Sequence, residues 1–500
     1  MMAAGKTAQK ARLNDLLQML GDETRSEDIL FSGIATDSRS VQPGDLFIAR
    51  DTAISYINDA VRAGAAGVLV DATSISEPDI CAVPLARVRD LDRKLGVICA
   101  WYFQEPANKL QITAVTGTNG KSSVSYLLAK ALSSVNTPCG LIGTLGYGPV
   151  TQLKPATHTT PEPLALQEIL ADFCDQGIRQ VVMEVSSHGI DQHRIGGLRF
   201  ELVVFTNLSR DHLDYHGSFD HYAETKKKLF TDYPLKHAVI NLDDPFGRDL
   251  FEALPETINK TGYTFDRELY AAMDKQGLVL AGVSDLSIES MCISIKSPWS
   301  DVTFNSRLIG QYNAQNLVAC FISLCLLGLS VNDSLQRLSQ SQAIPGRLEK
   351  YGRKGRPQLV IDYAHTPDAL RQVLQTLKQV CKQKLYCVFG CGGNRDQGKR
   401  EMMGQVADQF ADCIIVTSDN PRYEDPSAII DDIITGIRKR ENLIIEPDRA
   451  RAIARAIADA KAGDIILVAG KGHETYQEIA GERHHFSDSE IVKELLEVKA

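Results

Sequence analysis

Long apolar runs are missing from this 500-residue sequence. The longest, Leu317 to Leu329, is interrupted by Ser323 and Gly328. It falls short of the roughly 20 residues a bilayer-crossing helix needs, so it reads as a buried helix. Positive charge is not in excess either: 54 Lys and Arg against 63 Asp and Glu leave a net charge of -9. That balance offers no overall basic face to nucleic acid or to an anionic membrane. The first 20 residues lack an apolar stretch ahead of a small-residue cleavage site, which argues against a secretory signal. The 11 cysteines, scattered from Cys81 to Cys413, include no CxxC pair and no regular spacing. Reduced thiols of a cytosolic protein are the simplest account of them.

A hydrophobic fraction of 44% and a charged fraction of 23% are those of an ordinary globular protein. The chain is too long for one core, and boundaries near 110 and 345 divide it into three α/β parts. In the first, short strands Asp45 to Ala49 and Gly67 to Val70 flank a helix-like stretch around Ile57 to Ala63. Glu105-Pro106-Ala107-Asn108, poor in order signals, leads into the strand Ile112 to Val115. From about Leu359 strand and helix alternate regularly: strand Leu359 to Ile361, a helix from Pro367 with Leu370, Val373, Leu374 and Leu377 on one face, strand Leu385 to Phe389, another helix, and strands Cys413 to Val416 and Ile465 to Val468. Such alternation predicts a doubly wound, mostly parallel sheet with its ligands beyond the carboxyl ends of the strands.

The strand Ile112 to Val115 is followed by Thr116-Gly117-Thr118-Asn119-Gly120-Lys121-Ser122-Ser123. A helix comes next, with Val124, Leu127, Leu128, Ala131, Leu132 and Val135 on one stripe. Strand, glycine-rich loop and helix in this order predict a nucleotide phosphate site. Backbone N–H groups turn toward the phosphates, Lys121 bridges the terminal ones and Ser122 can ligate magnesium. Val115 stands where the first glycine of the general GxxxxGK[ST] pattern would be. A chance glycine-rich turn is the competing reading.

The loop in the form GTNGKS resembles that of the Mur ligase family, and further blocks carry the resemblance nearly end to end. They are Met183 to Gly189 (MEVSSHG), Phe205 to Gly217 (FTNLSRDHLDYHG), Asp362 to Pro367 (DYAHTP), Gly390 to Asp396 (GCGGNRD) and Gly470 to Glu474 (GKGHE). The resemblance implies an α/β, three-domain architecture with a central P-loop ATPase domain and a C-terminal Rossmann-like domain. Residues 1–110 would hold the UDP end of the substrate, 111–345 ATP, and 346–500 the incoming amino acid. The implied reaction is transfer of the ATP γ-phosphoryl group to a substrate carboxylate, giving an acyl phosphate that an amine attacks. Such transfer is mainly positioning and charge neutralisation. The substrates implied are small molecules in cytoplasmic peptidoglycan precursor synthesis, with no nucleic acid, membrane or obligate protein partner.

By the same resemblance Ser122 and Glu184 would ligate one magnesium ion, and His212, with a carbamylated Lys226, a second; with Lys121 these are the expected catalytic residues. Oxygen donors suit magnesium and histidine is the less typical one. Carbamylation needs an unprotonated amine, hence a pKa depressed by burial or nearby cations. By itself Glu184 could be a strand-end carboxylate satisfied by backbone donors, and Arg210-Asp211-His212 could cap a helix or form a polar turn. Lys227 and Lys228 read as a solvated helix face. Asn313 and Asn316 resemble the block near the adenine, although Asn316 could instead cap the apolar helix that follows.

For the substrate, the resemblance points to Thr36 and Ser38 at the uridine and to His158, Thr159, Thr160, Ser186, Gln192 and Arg194 at the sugar-peptide. His158 replaces an asparagine common in the family. The segment Arg50 to Tyr56 departs from the longer loop of relatives, so no residue is carried over from it. For the amino acid the positions are Arg395, Asp419, Asn420, Pro421, Arg422, Gly470 and Glu474. Within the family this set resembles the members that add diaminopimelate, which is lysine plus a carboxylate. Arg422 offers that carboxylate a bidentate match, and lysine would leave the guanidinium unpaired. Asn420-Pro421 is also a normal turn signal, so Arg422 could simply be exposed. Other readings of the chain are a lysine-adding relative, a folylpolyglutamate synthetase of the same fold, or an ATP-binding regulator without catalysis. Arg422 and the Thr159-Thr160 block disfavour the first two. Joint retention of Lys121, Glu184, His212 and Lys226 disfavours the third.

Overall fold

The computed structural model describes residues 10–21, 27–73, 82–134, 137–273, 277–352 and 355–498, without the side chains of 51–53 and 497–498. Val135 of the expected helix stripe and Cys81 lie outside them. The chain clusters into two compact units: Met1–Thr116 with Leu132–Val203 and Thr225–Lys236, and Gly117–Ala131 with Val204–Glu224 and His237–Ala500. Among the described residues no helix is long and apolar enough to cross a membrane, and the ten described cysteines are free thiols.

The first unit opens on a four-stranded sheet in the order Gly33–Ala35, Asp45–Ala49, Gly67–Asp71, Leu85–Val88, parallel throughout. Alternate side chains leave opposite faces of a strand. Accordingly Leu46, Ile48 and Leu69 join one core with Leu91, Leu95 and Ile98 of the helix Leu91–Tyr102. Phe47, Ala49, Val68 and Val70 join another with Ile57 and Ala60 of the helix Ile57–Arg62. Burial on both faces is why these strands read as unbroken apolar runs. The same unit pairs Gln111–Thr116 with Gln180–Glu184, and Gln180–Glu184 with Cys139–Gly143, all parallel.

Two stretches are more ordered than the sequence suggests. Pro106–Lys109 is a 3-10 turn with Pro106 and Ala107 buried; proline at its first position presets φ, so the residues that read as a break are locally ordered. Asp51–Tyr56 is likewise a 3-10 helix.

In the second unit the expected buried helix runs Gln311–Leu326, starting six residues before the apolar stretch and ending before Leu329. Gly328, at φ +93, stops it. Gly310, not Asn316, is its N-cap, which removes the capping reading of Asn316. The C-terminal sheet has six strands in the order Glu349–Tyr351, Gln358–Asp362, Ile465–Ala469, Leu385–Phe389, Cys413–Val416, Leu443–Ile445. Only the first pairing is antiparallel. One face packs under Pro367–Val380, Gly398–Phe410 and Pro426–Thr435, the other under Arg449–Asp459 and Asp488–Val498. The parallel strands therefore deliver the segments after Asp362, Phe389, Val416 and Ala469 to one edge of the sheet, where a doubly wound fold takes its ligands.

Candidate active-site residues

The phosphate loop ends at the helix Lys121–Leu132. Gly117 and Gly120 sit at φ +144 and +87, and a Cβ on Gly117 would collide with Thr206 Oγ1 while one on Gly120 would lie 2.8 Å from Asn316 Oδ1. Only glycine fits such a backbone at such a distance. The loop is clasped from the segment after Phe205: Thr118 N–H donates to the Asn207 carbonyl at 2.8 Å, Asn119 N–H to Asn207 Oδ1 at 3.0 Å, and Thr206 Oγ1 to the Asn119 carbonyl at 2.6 Å. Ser209 N–H donates to Thr118 Oγ1 at 2.9 Å, and Tyr222 Oη lies 3.0 Å from that same oxygen. Burial pushes the Tyr222 phenol up, keeping it neutral. Asn119 Nδ2 reaches Asp368 Oδ2 at 3.3 Å. Lys121 Nζ donates to the Gly117 and Thr118 carbonyls, both at 2.9 Å, so the ammonium lies over the loop.

Ser122 and Ser123 are buried at the start of that helix. Asn316 faces Gly120 across the contact already described, while Asn313 Nδ2 donates to the Ile309 carbonyl at 2.9 Å. His212 is the N-terminal residue flanking the short helix Leu213–His216, at φ +53, with no side-chain cap bond; its ring is 43% exposed and Nε2 is 3.4 Å from Asp211 Oδ2. Burial alone would raise the Asp211 carboxyl, but the charges of His212, His365, Lys399 and Lys121 hold it below the usual range. Beside it a cavity of about 220 Å³ is lined by Arg210, Asp211, Asp368, Arg371, Asp396 and Lys399 among others.

The expected sugar-peptide residues other than His158 converge within the first unit, around Glu184. Glu184, 1% exposed, ends its strand and accepts from Thr144 N–H at 2.8 Å and Thr144 Oγ1 at 3.2 Å. Thr144 Oγ1 is 3.0 Å from Thr159 Oγ1. Thr160 Oγ1 donates to the Glu184 carbonyl at 3.0 Å and accepts from Ser186 N–H at 3.0 Å. Arg194 donates to the Thr160 carbonyl at 2.9 Å and to Gln192 Oε1 at 2.9 and 2.5 Å, and pairs with Glu162 at 2.9 Å. His158 stays out of this network: it is exposed and its ring meets Thr157. Gln192 and Glu162 also line a cavity of about 700 Å³ with Arg50, Asp71, Asp92 and Arg93. Thr36 and Ser38, half-buried beyond Gly33–Ala35, are not among its lining residues. Lys226, on the helix Phe219–Thr231, is 1% exposed, while Lys227 and Lys228 are half-buried rather than fully solvated.

At the edge of the C-terminal sheet the loops after Phe389 and Val416 are joined. Gly393 N–H donates to the Asn420 carbonyl at 2.9 Å, and Arg422 Nη1 to the Gly393 carbonyl at 2.8 Å. Arg422 is therefore not simply exposed; Arg395 is. Asn420 Nδ2 donates to Glu474 Oε2 at 2.9 Å. Lys471, fully buried, donates to Asn420 Oδ1 and to Glu474 Oε2, both at 3.1 Å. Glu474, one of the positions expected around the amino acid, thus accepts from the ammonium of Lys471. Burial, then the neighbouring Asp419 charge, raises its pKa. Gly470 N–H donates to the Asp362 carbonyl at 3.1 Å and Pro421 accepts from Glu424 N–H at 3.0 Å. Sequence alone singles out neither Thr206, Asn207 and Ser209 as the clasp, nor Asp368, Thr144, Glu162 or Lys471. The first three and Lys471 lay inside motif blocks; for the others no local signal existed.

Comparison with known proteins adds an independent line. Residues 115–324 match the model of the Mur ligase middle domain, and 346–472 that of the Mur ligase, glutamate ligase domain. The chain is similar to proteins named UDP-N-acetylmuramoyl-L-alanyl-D-glutamate--2,6-diaminopimelate ligase. That of Coxiella burnetii is 41% identical over 94% of this chain and 96% of the relative; that of Pseudomonas aeruginosa is 44% identical over the same shares. A solved structure of a ligase of that name superposes with a TM-score of 0.71 at 35% identity, covering 98% of this chain and 99% of the other.

Proposed function

The chain belongs to the Mur ligase family, and from that premise we infer that it is an ATP-dependent ligase joining 2,6-diaminopimelate to UDP-N-acetylmuramoyl-L-alanyl-D-glutamate in peptidoglycan precursor synthesis. The observation that carries the amino-acid specificity is Arg422, held at the carboxyl edge of the C-terminal sheet with Nη1 on the Gly393 carbonyl. A guanidinium held there matches the second carboxylate of diaminopimelate, and lysine would leave it unpaired. Arg395 is the second proposed anion contact, with Asp419, Asn420, Pro421, Gly470 and Glu474 around the amino acid. The meso isomer, a cytoplasmic location and the three-part division 1–110, 111–345 and 346–500 belong to the same proposal.

In the proposed reaction the γ-phosphoryl group of ATP passes to a carboxylate of the dipeptide substrate and ADP leaves. The amine of diaminopimelate then attacks the acyl phosphate carbon, the amide bond forms, and inorganic phosphate leaves. Gly117 to Ser123 would cradle the phosphates, because turned glycine N–H groups and a helix N-terminus favour negative charge. Lys121 would neutralise charge on the terminal phosphates, and Asn313 and Asn316 would border the adenine. Thr36, Ser38, His158, Thr159, Thr160, Ser186, Gln192 and Arg194 remain the proposed contacts of the UDP substrate. Magnesium, when bound, would supply charge neutralisation at the phosphates. Ser122 and Glu184 are oxygen donors suited to it, and His212 with a carbamylated Lys226 is proposed for a second ion.

The test is phosphate release from ATP. It should require both UDP-N-acetylmuramoyl-L-Ala-D-Glu and meso-diaminopimelate and yield the tripeptide product by mass. Turnover with lysine but not diaminopimelate would sink the specificity; turnover with neither would sink the ligase assignment.

A further inference from the structure

The hairpin Tyr476–Ile479 and Glu482–His485 lies beyond the last block of the phosphate and amino-acid motifs. It touches three of the four residues of Asp419-Asn420-Pro421-Arg422. Gln477 Nε2 donates to the Asp419 carbonyl at 2.7 Å, and Glu478 N–H to Asn420 Oδ1 at 3.0 Å. Arg422 is bound twice through its backbone: its N–H donates to the Glu478 carbonyl at 3.0 Å, and its carbonyl accepts from Ala480 N–H at 2.6 Å, so that it bridges to Ile479. Its φ of +53 is one a side-chain-bearing residue rarely adopts without such support. The side chain is held as well, with Glu478 Oε2 3.5 Å from Nε and the Gly393 carbonyl 2.8 Å from Nη1.

A guanidinium has five N–H groups in one plane. With Glu478 Oε2 3.5 Å from Nε and Nη1 donating to the Gly393 carbonyl, two of its three nitrogens have partners that restrict its rotation. We propose that this hairpin, through the carboxylate of Glu478, is the device that aims Arg422 at the second carboxylate of the amino-acid substrate, making Glu478 a positioning residue for diaminopimelate specificity. The proposal rests on the reading of Arg422 given above. In this role Glu478 restricts the rotation of the group that meets the substrate, so its removal costs pre-organisation of one contact.

The experiment compares Glu478→Gln, Glu478→Ala, Arg422→Ala and the double variant Arg422→Ala/Glu478→Gln in the full chain, with KM for each of the three substrates and the ratio of diaminopimelate to lysine use. Glu478→Gln keeps the size of the side chain and removes its charge. It should raise KM for diaminopimelate about threefold to tenfold, lower the diaminopimelate-to-lysine ratio, and leave KM for ATP within about twofold. In the Arg422→Ala background the same change should add nothing, since the group it aims is gone. A KM for diaminopimelate that is unchanged or lowered in both Glu478 variants overturns the proposal. So does a loss spread evenly over all three substrates, or an equal further loss in the double variant. If Arg422→Ala itself leaves diaminopimelate use intact, the reading of Arg422 fails and the proposal with it; if only the Glu478 variants are silent, that reading stands and the hairpin's role falls.

Discussion

Lys121 lies over the turned loop with its ammonium 2.9 Å from two loop carbonyls, on a side chain whose removal leaves the clasp from Thr206, Asn207 and Ser209 in place. Lys121→Ala should therefore lower kcat by about a hundredfold or more, in the range seen when one charge-stabilising donor is lost. The melting temperature should stay within a few degrees; steady-state rates and a thermal melt check both. Arg422→Ala should act on one substrate only. A charge-assisted hydrogen bond is worth about 1.5–3 kcal/mol, so KM for diaminopimelate should rise about tenfold or more while KM for ATP holds. The residue type and spacing at 121 and 422 were readable from sequence because both stand in long motif blocks. That Glu474 accepts from the buried Lys471 was not, because the burial that pairs them comes from packing rather than from the spacing of the block.

Between elements, the C-terminal helix Asp488–Val498 is tied down by a buried ion pair. Arg449, at the start of the helix Arg449–Asp459, meets Asp488 through Nε and Nη2, both at 2.8 Å, and Nη2 also donates to the Ala469 carbonyl at 2.9 Å. Both side chains are wholly buried. Arg449→Met would strand the Asp488 carboxylate and should cost about 3–5 kcal/mol, seen as a lower midpoint in urea. Arg449→Met/Asp488→Leu should recover much of that loss, since an apolar pair of similar volume needs no charge partner. The helices and strands themselves were largely legible: Leu385–Phe389 and Cys413–Val416 fall where their apolar runs predict. Pro106–Lys109 was not, because its order comes from burial of Pro106 and Ala107 rather than from any periodicity.

For the molecule as a whole, two histidines set an acid limit on stability. His365 is lowered to about 4 by burial and then by Lys399, and His473 to about 4 by burial and then by Arg347. An unfolded histidine titrates near 6.5, so between pH 6.5 and 4 the unfolded chain binds more protons than the folded one. Stability is then full above 6.5 and is lost as pH falls toward 4, by about 1.4 kcal/mol per pH unit for each histidine. Urea midpoints measured from pH 7 to 5 should fall, and His473→Gln should make the fall shallower; an unchanged slope would contradict the assignment. Buried Glu474 and Asp362, both raised mainly by burial, act in the opposite sense over their own ranges, which is why the comparison is made between variants.

By itself the sequence determined the α/β alternation, the phosphate loop at its strand-to-helix turn, and the identity of the blocks that end the parallel strands. These are local properties: apolar period, glycine dihedrals and residue order are carried by a few consecutive residues. Only the tertiary structure decided that the loop is clasped by Thr206, Asn207 and Ser209 and touched by Asp368, that Glu184 answers to Thr144, and that Arg422 answers to Glu478. A hydrogen-bond partner is chosen by which distant segments pack together, and no spacing within either segment records that choice.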